Sequence, residues 1–195
     1  MFFQAIAARA SLPRFGYPRP PNARTARCAI RLGCPKESAE RERRVAIAPP
    51  SVSKLRALGL EVVIERGAGA AAGYGDEDYE RADAVMADRD EVFACEIVAK
   101  VRPPTDREIA LFREGAVLVS LIYPARNEGL VEVLNERKIT VIALDKVPRT
   151  TRAQSMDVLS SMANLAGYRA VVEAAAEYQG FFGPQVTAAG TLPPA

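Results

Sequence analysis

Short apolar runs recur along this chain, separated by stretches whose apolar residues return every three or four positions. Runs of four to eight apolar residues suit buried strands, and the longer period suits helices packed by one face. The first run, CAIRLGC at 28–34, ends at Pro35. A charged loop, KESAERERR, closes on the apolar VAIA at 45–48, and Pro49 and Pro50 then open a helix, SVSKLRALG, stopped by Gly59. LEVVIE at 60–65 reads as the next strand, followed by the small-residue loop RGAGAAAGYG and a short helix, DEDYERADA, with an acidic first turn. Strands are predicted near 84–86, at 95–101, at 115–122 and at 139–145, with helices over TDREIALF and ARNEGLVEVLNERK between the later ones. Strands with few polar breaks that alternate with helices predict an α/β fold with a mostly parallel, buried sheet, Rossmann-like or flavodoxin-like.

A long helix closes the pattern, beginning around 152–155 and running to about Tyr178. Its length, and the FFGPQVTAAGTLPPA that follows, predict a helix passing between domains. Three segments result: a leader at 1–28, an α/β domain at 29–150, and a loop, long helix and onward connection at 151–195.

Composition changes the picture in three places. Residues 1–31 hold six arginines and no acid, so the formal charge of +2 hides a mildly acidic body. An Arg-rich, acid-free, proline-punctuated start predicts an organellar transit peptide, mitochondrial ahead of plastid. An acidic body is unsuited to polyanions such as nucleic acid, and no stretch has the roughly 20 apolar residues of a membrane span. Cys28, Cys34 and Cys95 share no metal spacing and read as reduced, structural thiols. Histidine is absent altogether, which excludes every catalyst built on an imidazole base.

Candidate chemistry sits in loops. RGAGAAAGYG is neither GxGxxG nor a Walker loop, and reads as a surface or cleft-lining segment. Arg44 ends a charge run beside an apolar element, where a forked cation can hold a phosphate or carboxylate. Lys100 closes an apolar strand at the carboxyl edge where open α/β sheets bind ligands. A solvated charged face is the competing reading of both. The densest set is PRTTRAQSMDVLSS at 148–161, with Arg149, Arg152, Gln154, Asp157 and Ser160. Gln154 can donate to and accept from an amide, so the set suits a carboxamide-bearing ring. Helix capping by Thr151 or Ser155 explains one or two of these groups, not all five.

GCPKESAERERRVAIAP, EIVAKV, LVSLIYPARN, VIALDKVPR, RAQSMDVLSSMANLAGYRAVVEAA and FFGPQVTAAGTLPPA together resemble the alanine dehydrogenase and transhydrogenase family. Within it they are similar to the N-terminal part of alpha subunits of proton-translocating NAD(P) transhydrogenase. The resemblance implies two α/β domains joined by long helices, a homodimer, and a first-domain loop that meets the nicotinamide of NAD(H). Carried over, that loop's residues are Arg149, Gln154, Asp157 and Ser160, and the family's first-domain arginine and lysine resemble Arg44 and Lys100.

The resemblance also implies partners: membrane segments and a component holding NADP(H), set on the matrix side of the mitochondrial inner membrane or on the cytoplasmic side of a bacterial one. Alanine dehydrogenases use a histidine as acid and base, and SLIYPARN has Tyr123 near that place. Hydride exchange between two nicotinamides needs no protein proton donor, so a histidine-free chain fits transhydrogenation better. An alanine-dehydrogenase-like oxidoreductase, and a noncatalytic nucleotide-binding or assembly module, are the alternatives. In the family TAAG-x-PPA leads into a strand and a GxGxxG loop, whereas this sequence closes at Ala195. The expectation is therefore a fragment, truncated or split subunit, with the isolated chain inactive.

Overall fold

The computed structural model describes residues 30–180 and 182–193. The expected leader at 1–28, with Cys28, lies outside the described residues. The chain divides into one unit up to Asp157 and a second from Val158 onward.

The first unit is built on six parallel strands: β1 (Ile30–Cys34), β2 (Leu60–Glu65), β3 (Val85–Ala87), β4 (Ile97–Ala99), β5 (Val117–Ser120) and β6 (Thr140–Ala143). Their order across the sheet is β3-β2-β1-β4-β5-β6, the doubly wound Rossmann order and not the flavodoxin one. Helices α1 (Pro49–Ala57), α2 (Asp76–Arg81), α3 (Arg89–Phe93), α4 (Asp106–Ile109) and α5 (Glu128–Glu136) form the crossovers. Val62, Val63 and Ile64 of β2 are all buried, so both faces of that strand are covered and its sequence shows no alternation. Phe93, Val98, Ile109, Phe112, Leu118, Ile122 and Leu134 pack into the larger core cluster, with the two phenylalanine rings edge to face at 5.1 Å.

Glycine at position 33 has a packing reason. A Cβ there would sit 2.3 Å from the Val92 carbonyl oxygen, so only glycine lets the end of α3 lie against β1. The glycine-rich loop is likewise a packed structure: a Cβ on Gly69 would meet the Tyr79 ring at 2.6 Å, and the Gly67 N–H donates to Asp76 at 2.8 Å. The buried Tyr79 hydroxyl donates to the Ile47 carbonyl at 2.8 Å, tying α2 to the apolar turn before α1. Burial pushes the Cys34 thiol up to about 12 and the Cys95 thiol up to about 11, so both are inert at neutral pH.

The second unit consists of α6 (Val158–Glu177) and an antiparallel hairpin of β7 (Gln185–Thr187) and β8 (Gly190–Leu192). The Thr187 hydroxyl donates to the Gly190 carbonyl at 3.0 Å across the turn. On α6, Leu165, Tyr168, Val171 and Val172 are exposed. No helix of the described residues is long and apolar enough to cross a membrane.

Candidate functional site

The strand order reverses direction between β1 and β4, so the loops leaving their carboxyl ends border the crevice where this class of sheet takes ligands. Lys100 follows β4 and is buried, its Nζ 2.7 Å from a Glu108 carboxylate oxygen and 3.9 Å from Glu37. Glu108 gathers donors from four places. Its Oε1 accepts from Lys100, from Arg89 at 2.6 Å and from the Ser38 hydroxyl at 3.1 Å, and its Oε2 accepts the Thr105 N–H at 2.8 Å. Glu37, just beyond β1, accepts the Val101 N–H at 2.6 Å and the Arg102 N–H at 3.3 Å, which fastens the β1 and β4 loops together.

Such a network is tolerable in the interior only because every member is partnered. Among the described residues no buried side-chain nitrogen or oxygen lacks a hydrogen bond. Burial pushes the Glu108 carboxyl up, but Lys100, Thr105 and Ser38 outweigh it and leave it below its ordinary value. At Glu37 burial wins, and the carboxyl is raised despite Lys100 and the two amides. Lys100, expected to contact a ligand, is 1% exposed and ion-paired with Glu108.

Arg44 lies at the surface of the same edge. Its Nε and Nη2 grip Glu42 at 2.7 and 2.6 Å, its own N–H donates to Glu42 at 3.0 Å, and Arg102 Nε reaches the same carboxylate at 2.7 Å. Hydrogen bonding from the Arg44 guanidinium is the main reason the Glu42 carboxyl is lowered to about 2, and burial only partly opposes it. A depressed value means that ionised Glu42 stabilises the fold fully above the ordinary 4.5, a contribution lost as pH falls towards 2. Both arginines are more than a third exposed, so screening leaves about 1–2 kcal/mol of it. The expected result is that Glu42→Gln is less stable than the parent by that amount at about pH 6 in urea, and that the gap closes as the pH is lowered towards 2. A gap independent of pH would contradict the ionic origin.

Tyr123, at the carboxyl end of β5, has φ 51° and ψ 61°, a left-handed backbone uncommon for a tyrosine. Asn127 holds it there by donating to the Ile122 carbonyl at 2.7 Å and the Tyr123 carbonyl at 3.4 Å, while Asp145 accepts the Ile122 N–H at 2.7 Å.

The loop after β6 carries the other candidates. Gln154–Met156 form a single 3-10 turn, with the Asp157 N–H donating to the Gln154 carbonyl at 3.2 Å. Asp157 then takes an extended conformation (φ −76°, ψ 90°), so the helix does not begin at 152–155 as its sequence suggests but at Val158. Asp157 and Ser160 therefore do not share a helix face. Arg149 and Gln154 are exposed and Asp157 is half-buried in the first unit, and Ser160 is exposed in the first turn of α6 in the second.

Sequence reasoning placed Glu37 only within a charge run beyond the first strand, and did not single out Glu42, Arg102 or Glu108. Glu108 had a local signal, Thr-x-x-Glu before a helix, and the box forms: Thr105 Oγ1 accepts the Glu108 N–H while Glu108 accepts the Thr105 N–H. Nothing local in the sequence announces that its other oxygen collects Lys100, Arg89 and Ser38.

The chain matches the family model described as alanine dehydrogenase/PNT, N-terminal domain, over residues 33–166. It is 47% identical to the NAD(P) transhydrogenase subunit alpha of Haemophilus influenzae over 164 residues, covering 84% of this chain and 32% of that one. It is 36% identical to the alanine dehydrogenase of Bacillus subtilis over 137 residues, covering 70% of this chain and 35% of that one. The crystal structure of the transhydrogenase from Sinorhizobium meliloti superposes with a TM-score of 0.80 at 43% identity, over 84% of this chain and 49% of that one. The chain thus spans about a third of the length of these curated relatives.

One expectation is corrected. The transhydrogenase relatives from Haemophilus influenzae, Rhodospirillum rubrum and Rickettsia prowazekii are bacterial, which overturns the mitochondrial placement. The resemblance in sequence, the Rossmann strand order and the match over residues 33–166 agree on one conclusion: the chain belongs to the family of alanine dehydrogenase and transhydrogenase N-terminal domains.

Proposed function

We propose that this chain forms the nicotinamide-facing wall of an NAD(P) transhydrogenase alpha subunit, which in its complete assembly passes hydride from NADH to NADP+ coupled to proton movement. The observation that carries this reading is the polar turn at 149–157 in a chain 47% identical to such a subunit. Its donors and acceptors fit a nicotinamide: the exposed Gln154 amide can pair with a carboxamide in both directions, and the half-buried Asp157 can accept from its NH2. The bound nucleotides supply the hydride chemistry. This chain's part is positional. Gln154 and Asp157 orient the carboxamide, Arg149 meets the cofactor's polar groups, and Ser160 supports that geometry. Arg44 lines the crevice and Lys100 stiffens it from below. Hydride transfer between two rings requires them about 3–3.5 Å apart with water excluded, and no side chain needs to move a proton at that step. The absence of histidine is consistent with this.

The membrane and NADP-binding partners and the homodimer belong to this proposal as well. A second reading, an alanine-dehydrogenase-like oxidoreductase working through Lys100 and Tyr123, is favoured by the left-handed backbone of Tyr123 at the carboxyl end of β5. Assaying the complete protein separates the two. NADH-dependent reduction of an NADP analogue is expected. Robust NADH oxidation driven by pyruvate and ammonia, without that exchange, would overturn the proposal.

A further inference from the structure

Helix α5 leaves an apolar groove open along its outer side. Val131, Leu134, Ile139 and Val141 line one part of it, between the helix and the edge strand β6, with a volume of about 300 Å³. A second part, of about 420 Å³, continues past Val131 to Pro124. Val131, common to both parts, is 41% exposed. Among the described residues β6 pairs only with β5, so no further strand closes this side. Glu132 borders both parts and Glu128 the second. With Glu136 they follow at four-residue spacing, which puts all three acids on one side of the helix. Among the described residues none of the three is in an ion pair. The cations that come next turn elsewhere: Arg137 donates to the Ala110 and Phe112 carbonyls, and Lys138 meets Glu114 at 2.6 Å. Solvation accounts for the glutamates, but not for the apolar floor they border.

The same chain carries a segment of matching chemistry. Residues 1–29 hold five arginines and no acid, and Phe2, Phe3 and Ile6 precede the first of those arginines, Arg9. We propose that the α5 groove docks this amino-terminal segment, its apolar residues on the floor and its arginines against Glu128, Glu132 and Glu136. The strands are parallel, so the segment enters β1 at the edge of the sheet where Ile139 leads into β6. Three strand spacings, about 15 Å, separate β1 from β6. Residues 10–29 can span up to about 65 Å when extended, so the reach is ample. A tethered segment meets its groove at an effective concentration on the order of 1 mM, so a contact too weak for a separate partner is sufficient. The contact is independent of the turn at 149–157.

The sequence has no tryptophan, so Phe3→Trp places a single indole in the segment. In the full chain at low protein concentration, its emission should lie to the blue of a solvated indole and resist quenching by acrylamide. Val131→Lys and Glu132→Lys, both at exposed positions, should each return the emission to that of a solvated indole and raise the quenching several-fold. Glu80→Lys, the same charge change at an exposed position of α2, should alter neither. A solvated indole in the parent would overturn the proposal. So would a shielded indole that both groove variants leave unchanged. Shielding that appears only as rising concentration increases the mass in sedimentation would give the groove to a second copy and overturn it too.

Discussion

Glu108→Ala is expected to destabilise the α/β unit by about 3–5 kcal/mol, the range for breaking a buried ion pair from one side. The side chain is 2% exposed and accepts from Lys100, Arg89, Ser38 and the Thr105 amide. Truncation leaves the Lys100 ammonium buried with only Glu37 nearby, at 3.9 Å, and removes the capping box of α4. Half-exposed Arg89 suffers less, because it can turn to water and still meets Glu65 at 3.3 Å. The cost should therefore be concentrated on Lys100. Adding Lys100→Met to Glu108→Ala should recover a substantial part of the loss, since an apolar chain of similar length needs no partner there. Urea unfolding of the two single variants and the double gives the coupling directly. A loss below about 1 kcal/mol, or a double variant no better than Glu108→Ala, would show that the network does not hold the two crevice loops.

Gln154→Asn and Asp157→Asn should each lower the hydride-transfer rate of the complete assembly by about 10–100-fold, with a change in NADH affinity of no more than a few-fold. The reasoning is geometric. Shortening Gln154 withdraws its amide by one methylene, and replacing Asp157 exchanges an acceptor oxygen for a donor. A ring displaced by about 1 Å from the reactive alignment loses on the order of a hundredfold in rate while keeping most of its binding contacts. Stopped-flow transfer and NADH binding, measured on the same preparations, check this. Equal losses in rate and affinity would reassign the pair to uniform binding, and no loss of rate would remove them from the site.

The parallel sheet was legible in the sequence because its strands are short apolar runs bounded by proline, glycine or charge. LEVVIE at 60–65 is a strand over its whole predicted length. The run at 95–101 shrinks to Ile97–Ala99, although the Lys100 N–H still donates to the Val119 carbonyl of β5 at 3.0 Å. Two elements carry too little local signal to be seen. Helix α3 is five residues, less than the two turns a periodicity needs, and its place is set by Gly33 admitting it against β1. The β7–β8 hairpin has three-residue strands and an Ala-Ala turn without the Asn-Gly or Asp-Gly signature.

The candidate site divides in the same way. Arg149, Gln154, Asp157 and Ser160 lie close together along the chain, so residue types and resemblance sufficed to single them out. The arrangement around Arg44 and Lys100 depends on acids 2 to 63 positions away, brought in by strand order. Charge runs such as KESAERERR do not reveal which of their acids turns inward.

A structure of the complete assembly with NADH bound tests the central claim most directly. The nicotinamide carboxamide should lie within hydrogen-bonding distance, roughly 2.7–3.2 Å, of the Gln154 amide and the Asp157 carboxylate. A turn at 149–157 facing solvent, with the nicotinamide held by other residues, would contradict the account.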